Sequence, residues 1–272
     1  NPPMQYSAIL TLILLIGGLT LHPGQSAAAQ SRGDDTILEM AQAYKKGDRK
    51  RLATLLPQAS NHTLEPWAAY WELRARLDTA TPAEIQAFFA RYAGTYQEDR
   101  LRNDWLLMLG QRRDWTNFAA EHLNYRMNDD REVRCYALAV EHALAGIDVS
   151  AQVKTLWYAQ READDGCNYI SSRLYVTRKL TDLDVWRKAR MAMENNRPKA
   201  ARLAAEIIVG DAGAQISEIQ DNAARYLSKR VVAVGKINKE WVVLALIRMA
   251  ANDPDAAAGA LDTHWSVHLS AE

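Results

Sequence analysis

His264 and His268 stand four residues apart, a spacing that puts two imidazoles on one helix face. With a glutamate beside the first His, that spacing would make a zinc-hydrolase signature, but only Trp265, Ser266 and Val267 lie between them. The pair therefore reads as surface or packing histidines, and neither a metal nor a cofactor is expected. Paired carboxylates occur at Asp34-Asp35, Asp129-Asp130 and Asp164-Asp165. Such pairs can serve general acid–base chemistry, yet beside helix starts or loops their ordinary task is capping, which is the role expected here. Trp67, Tyr70 and Trp71 recur at helical spacing and can either stack on sugar rings or fill the space between helix layers; core packing is expected. Gly-x-Gly-x-x-Gly, phosphate-loop, Gly-x-Ser-x-Gly and His-Glu-x-x-His patterns are all absent. No residue is assigned a catalytic role. Asn61-His62-Thr63 matches a glycosylation acceptor at chance level.

Residues 1–30 contain no Lys, Arg, Asp or Glu, and Ala8 to Leu21 is an apolar run broken only by Gly17-Gly18 and two Thr. Pro23-Gly24 and then Ser26-Ala27-Ala28-Ala29 follow, a short apolar core ahead of small residues. This reads as a secretory signal peptide over 1–29, cut after Ala29, although no positive charge precedes the run and Met4 is the natural start. The alternative is a retained anchor, for which the run falls short of the about 20 apolar residues a span needs. Cys135 and Cys167 are an even pair in a chain read as exported, where disulfides persist. A bridge between them is the reading taken here; two buried free thiols are the alternative.

The 272 residues carry 33 Lys+Arg against 33 Asp+Glu, so the formal net charge is zero. That balance argues against a nucleic-acid binder, which needs a basic surplus. The run Lys45-Lys46…Arg49-Lys50-Arg51 is accordingly read as a solvated turn and helix start. A hydrophobic content of 48% supports a sizeable core, and 44 Ala beside 13 Gly and 8 Pro favours helix.

Those residues must be positioned by helices. Leu101, Trp105, Met108 and Leu109 follow helical spacing, as do Val133, Tyr136, Ala137, Val140 and Leu144, and Ala200, Leu203, Ala204, Ile207 and Ile208. Pro66 and Pro82 suit first helical positions, with Thr81 as a cap, and Gly47, Gly146 and Gly235 suit helix ends. Val231–Val234 is the single strand candidate. Because it extends the pattern of Ile219, Ala223, Tyr226 and Leu227, it is read as the last turn of a helix. Four junctions look alike: 46–49, 112–115, 195–198 and 252–255. Their spacing is unequal, so the expected fold is all-α: an irregular α-solenoid or superhelix of stacked, tetratricopeptide-like helix pairs. Residues 30–272 are expected to form one continuous domain, incomplete at its C-terminal end. Trp241, Leu244, Leu261 and Trp265 are expected to form an exposed apolar end.

Several segments resemble the soluble lytic murein transglycosylases in their order along the chain. They begin with Glu65-Pro66-Trp67-Ala68-Ala69-Tyr70-Trp71-Glu72-Leu73, then Leu101-Arg102-Asn103-Asp104-Trp105-Leu106 and Gln111-Arg112-Arg113-Asp114-Trp115. Arg134-Cys135-Tyr136-Ala137-Leu138-Ala139, Trp157, Cys167-Asn168 and the helix Leu183–Ala192 follow. The likeness spans nearly all of residues 34–272.

That resemblance implies a periplasmic, monomeric superhelix with peptidoglycan as its partner and no stable membrane insertion after signal cleavage. The family cleaves the MurNAc–GlcNAc β-1,4 bond to leave 1,6-anhydro-MurNAc ends, using one Glu in a lysozyme-like domain that follows the superhelix. The Glu-Ser, Gly-Leu-Met-Gln and Tyr-Asn-Ala-Gly segments of that domain are absent from this sequence. The expectation is a non-catalytic portion of such an enzyme, continuing past Glu272, inactive alone, which supports the catalytic domain and guides peptidoglycan. The alternative is a stand-alone exported helical-repeat adaptor that binds another envelope protein.

Overall fold

The computed structural model of the protein describes residues 23–271, and the expected signal segment lies largely outside them. Among the described residues there are fifteen α-helices and no strand. In chain order they are α1 (Pro23–Lys46), α2 (Arg49–Leu55), α3 (Glu65–Ala75), α4 (Pro82–Arg91), α5 (Tyr96–Gln111), α6 (Trp115–His122), α7 (Arg131–Ala145) and α8 (Ser150–Ala159). Then come α9 (Asp165–Val176), α10 (Asp182–Glu194), α11 (Pro198–Glu206), α12 (Ala212–Asp221), α13 (Ala223–Ser228), α14 (Lys236–Asn252) and α15 (Pro254–Thr263). The all-α solenoid class is what the periodicity led one to expect. Two compact units result, the first ending at Arg76 and the second beginning at Leu77.

Local chemistry sets the helix ends. Thr81 accepts from the Glu84 amide while the Glu84 carboxylate accepts from the Thr81 amide, a reciprocal cap that Thr181 and Asp184 repeat at α10. Asp48, Asp114, Asp130, Asp164 and Asp253 cap α2, α6, α7, α9 and α15 through their side chains. Four helices end in one and the same turn, with Gly47, Arg113, Arg178 and Asn196 at φ values of 68°, 59°, 60° and 54°. In each, the residue after the left-handed position donates its amide to a carbonyl five residues back: Asp48 to Ala43, Asp114 to Leu109, Lys179 to Leu174 and Arg197 to Ala192. These are Schellman turns, which satisfy carbonyls that the helix end would leave bare. Three of them fall at junctions alike in sequence.

In the first unit α1 packs on α2 and α3 around Met40, Leu52, Ala59 and Ala68, all fully buried. In the second, α5 packs on α6 and α7, α7 on α9, and α10 on both α11 and α14. Leu101, Tyr136, Trp157, Leu174 and Tyr226 are at most 2% exposed there. Each large apolar side chain taken from water stabilises the fold by about 1.5–3 kcal/mol. Helix α5 is covered on several sides, because Asp99, Arg102, Asn103 and Asp104 are buried together with Leu101, Leu106 and Leu109. Its polar side chains are matched: Arg102 Nε donates to Glu121 Oε1 at 2.7 Å, its guanidinium also pairs with Glu98, and Asp99 accepts the Met127 amide at 2.7 Å. Buried charge tolerated in this way requires full pairing.

Three sequence expectations are corrected. Val231–Val234 is irregular backbone, not a helix turn: α13 ends at Ser228, and Val231, Val232 and Val234 are 76%, 55% and 73% exposed. Its β-branched residues gain nothing from helix there, and Asn222, capping α13, already breaks the presumed long helix. Gly235, at φ 85°, leads into α14 instead of ending a helix. Asp34-Asp35 lies inside α1, where Asp34 faces His62 at 2.8 Å, so it caps nothing.

Candidate functional site

A groove of about 1470 Å³ runs between α10, α14 and the segment after α15. The cap at Thr181 fixes the start of α10, which puts Leu183, Trp186 and Arg190 on one face at i, i+3 and i+7. Helix α14 answers with Ile237, Glu240, Val243 and Ile247 at similar spacing. The Arg190 guanidinium grips the Glu240 carboxylate through two hydrogen bonds of 2.5 and 3.0 Å, and Trp186 meets Trp241 edge to face at 5.2 Å. Leu183, Val234, Ile237 and Leu261 line the groove while remaining 39–73% exposed. The exposed apolar end expected from sequence is therefore composed differently. Trp241, Leu244 and Trp265 are buried at 4%, 0% and 3%, and of that set only Leu261 reaches the surface. For Trp241 and Leu244 the shift follows from α14 packing against α10, α12 and α13, and Trp265 is buried in the turn after α15.

No His or Cys lines this groove, and Glu240 is neutralised by Arg190. Its apolar walls, with Asp182 and Asp262 at their edges, suit an apolar segment of another chain or element. Among the described residues no cluster of three or more His, Cys, Asp or Glu has metal-binding geometry. His264 lies past the end of α15 and bonds the Val231 carbonyl at 2.7 Å, and His268 follows the next short turn, so the pair is not on one α-helix although its rings lie 5.5 Å apart.

The residues that sequence marked for capping and bridging converge where α5, α7 and α9 meet. The Sγ atoms of Cys135 and Cys167 are joined at 2.01 Å, with Cα atoms 4.9 Å apart. Beside the bridge, Asp165 receives a forked pair of bonds from Arg113 at 2.5 and 3.0 Å and one from the Tyr136 hydroxyl at 2.5 Å. Although burial opposes it, these donors hold the Asp165 carboxyl below the ordinary range. Glu132 accepts the amides of Asp165 and Gly166 at 3.0 and 3.1 Å, and burial raises its carboxyl. Arg113 lies 4.0 Å above the Tyr169 ring, which helps fix a bulky residue in left-handed backbone. Asp164 accepts the Cys167 amide at 2.8 Å and the Gln160 side chain at 2.7 Å, and burial pushes its carboxyl up to about 6. None of these carboxylates lines the groove; each is spent on amides or a guanidinium.

Sequence reasoning missed Lys188, which is 2% exposed. Its ammonium donates to the Trp157 and Gln160 carbonyls at 2.5 and 3.0 Å, closing the C-terminal end of α8, and burial lowers it to about 8. A lysine in a helix pattern is ordinarily solvated; only the position of Lys188 between Trp186 and Ala189, on the inward side of α10, hints otherwise.

Trp67, Tyr70 and Trp71 do cluster, within the first unit. Trp71 lies 6.1 Å from Trp67 and 6.3 Å from Tyr44, ring centre to ring centre, with planes 30° and 26° apart. Tyr70 is buried as expected of core, whereas Tyr44, Trp67 and Trp71 are half-buried.

The fold defined by these elements is an all-α superhelical stack, and known chains share it. An inactive mutant of the lytic transglycosylase Slt from Pseudomonas aeruginosa matches 87% of this chain and 39% of its own, with 24% identity and a TM-score of 0.52. The 70-kDa soluble lytic transglycosylase in complex with bulgecin A matches 89% and 40%, with 15% identity and a TM-score of 0.55. The soluble lytic transglycosylase Slt70 of Escherichia coli matches 90% and 40%, with 16% identity and a TM-score of 0.56. The chain thus spans about two fifths of the length of the solved structures it matches. No protein-family model and no curated protein sequence matches it.

Proposed function

We propose that this chain is the superhelical, non-catalytic portion of a periplasmic lytic murein transglycosylase, supporting a catalytic domain and guiding peptidoglycan past it. The observation that supports the reading is the coverage asymmetry: nearly nine tenths of this chain matches two fifths of solved lytic transglycosylases. The perturbed carboxylates agree with it. Glu132, Asp164 and Asp165 face backbone amides and a guanidinium, and none of the three lines the groove. A stacked-helix body offers an extended surface along which a strand can lie, and the apolar groove offers a seat for a neighbouring element. The Cys135–Cys167 bridge suits an oxidising compartment.

The exposed apolar groove also favours a second reading, a stand-alone exported helical-repeat adaptor that seats another envelope protein there. Incubation of the chain with purified sacculi separates the two. Retention on sacculi without release of anhydro-muropeptides is expected of the first reading. Release of such ends would refute the non-catalytic assignment, and failure to bind sacculi would favour the adaptor.

A further inference from the structure

Between α13 and α14 the backbone is held more loosely than at the other junctions of the second unit that carry a basic residue. Lys229 and Arg230 follow the six-residue α13, and Val231, Val232, Ala233 and Val234 continue as irregular backbone. The amides of those last four donate to no described residue, and the three valines are exposed. Two side chains hold the segment by its carbonyls: His264 Nε2 bonds that of Val231 at 2.7 Å, and Asn238 donates to that of Val234 at 2.9 Å. An endoprotease needs such a stretch, because it draws its substrate out as a strand and pairs with the free backbone groups. Arg230 rests on the Tyr226 ring and donates to the Tyr226 carbonyl at 2.8 Å, while Lys229 reaches Glu218 at 3.2 Å. Tyr226 lies in a helix too short to stand alone, so the Arg230 contacts part when its last turn frays.

The other basic residues at junctions are better guarded. The amides of Arg126 and Met127 are bonded to Asp99. Those of Arg113, Arg178 and Lys179 close the turns after α5 and α9, and Leu180 is buried. Arg161 sits in a connection stapled by Lys188 at the Gln160 carbonyl and by the Gln160 side chain at Asp164, and Glu162 follows it. Arg197 precedes Pro198, whose ring has no amide hydrogen and is refused after the scissile bond. Lys236 opens α14, so a cut behind it must first unwind the start of a 17-residue helix.

We infer that the peptide bond between Arg230 and Val231 is a processing site for an endoprotease that cuts after a basic residue, reached by local opening of segment 229–235 and leaving the two pieces joined. Hydrolysis consumes one water. The bond from the Arg230 carbonyl carbon to the Val231 nitrogen breaks, the hydroxyl stays on the carbon and the proton goes to the nitrogen. The pieces stay together because α14 is held to α10 independently of the segment. Arg190 grips Glu240, Trp186 meets Trp241, and Val242, Leu244 and Ala245 are fully buried. This goes beyond the proposed function and does not rest on it.

Brief exposure of the folded chain to a low proportion of trypsin tests the site, with fragments identified by mass spectrometry and cuts scored within residues 77–271. The first cut is expected after Arg230, and the two pieces are expected to elute together in gel filtration until denaturant is added. The double variant Lys229→Gln, Arg230→Gln should be consumed about tenfold more slowly than wild type, while the control Arg161→Gln, Arg178→Gln keeps the wild-type rate. His264→Ala frees the Val231 carbonyl and should speed the cut about fivefold, the weight of one hydrogen bond. A first cut after Arg126, Arg161, Arg178, Arg197 or Lys236 overturns the site, as does a double variant consumed as fast as wild type. An unchanged rate in His264→Ala overturns local opening as the route. Pieces that separate without denaturant overturn the claim that they stay joined.

Discussion

Gly110 of α5 lies against the ring of Tyr136 on α7, so close that a Cβ at position 110 would overlap the ring carbons. Gly166 of α9 approaches the Glu132 backbone of the same helix with similar lack of room. Two side-chain-free positions thus let three helices meet around one tyrosine. Tyr136 cannot retreat, because it is fully buried and its hydroxyl is bonded to Asp165. Gly110→Ala is therefore expected to destabilise the protein by about 2–3 kcal/mol, the usual cost of overpacking, in spite of the better helix propensity of Ala. Denaturant unfolding measures it, and a variant as stable as wild type would show that α5 and α7 can part without loss.

The bridge between Cys135 and Cys167 spans 32 residues and ties α7 to α9. Closing a loop of that size in the unfolded chain is worth about 3–4 kcal/mol. Replacing both cysteines by Ser should lower stability by that amount while far-ultraviolet circular dichroism stays helical, since Glu132, Asp165 and Arg113 still join the same helices. Unfolding with and without reductant gives the comparison; coincident curves for wild type would refute the stabilising role.

Asp164 gives a pH signature. Its carboxyl stands at about 6 in the folded protein against 3.8 for an unperturbed side chain, chiefly through burial. The folded state then holds a proton that the unfolded chain releases, so stability from this group is present at low pH and is lost as pH rises from about 4 to about 6. Asp164→Asn keeps a capping oxygen without the titration. Relative to wild type, the variant should gain stability across that window, by up to about 3 kcal/mol. Parallel stability profiles between pH 4 and 7 would contradict the assignment.

Much of this architecture is legible in residue order, and what is not has physical causes. Thr81, Pro82 and Gly47 announce their turns because cap chemistry and left-handed backbone demand particular residue types. Arg113 and Arg178 occupy the same left-handed position as Gly47 without looking like turn residues. At Arg113 the strain is offset by contacts to Asp165 and Tyr169, partners more than fifty residues away in sequence. Lys188 and Arg102 hide for the same reason: Trp157 and Glu121, to which they donate, lie on other helices. Val231–Val234 misleads because an apolar run that fits a helical period carries no sign of the break at Asn222. The groove eluded sequence as well, since it depends on which side of α14 turns inward. The aromatic set Trp67, Tyr70 and Trp71 is divided by the structure between core and surface, a distinction that spacing alone does not make.

The four Schellman turns have a consequence for assembly. Each is closed by bonds spanning at most five residues, so a hairpin of helices can acquire its bend before any distant partner arrives. A chain punctuated in this way folds progressively, neighbour upon neighbour, and its order of stacking is dictated by succession along the polypeptide instead of by a search among many similar rods.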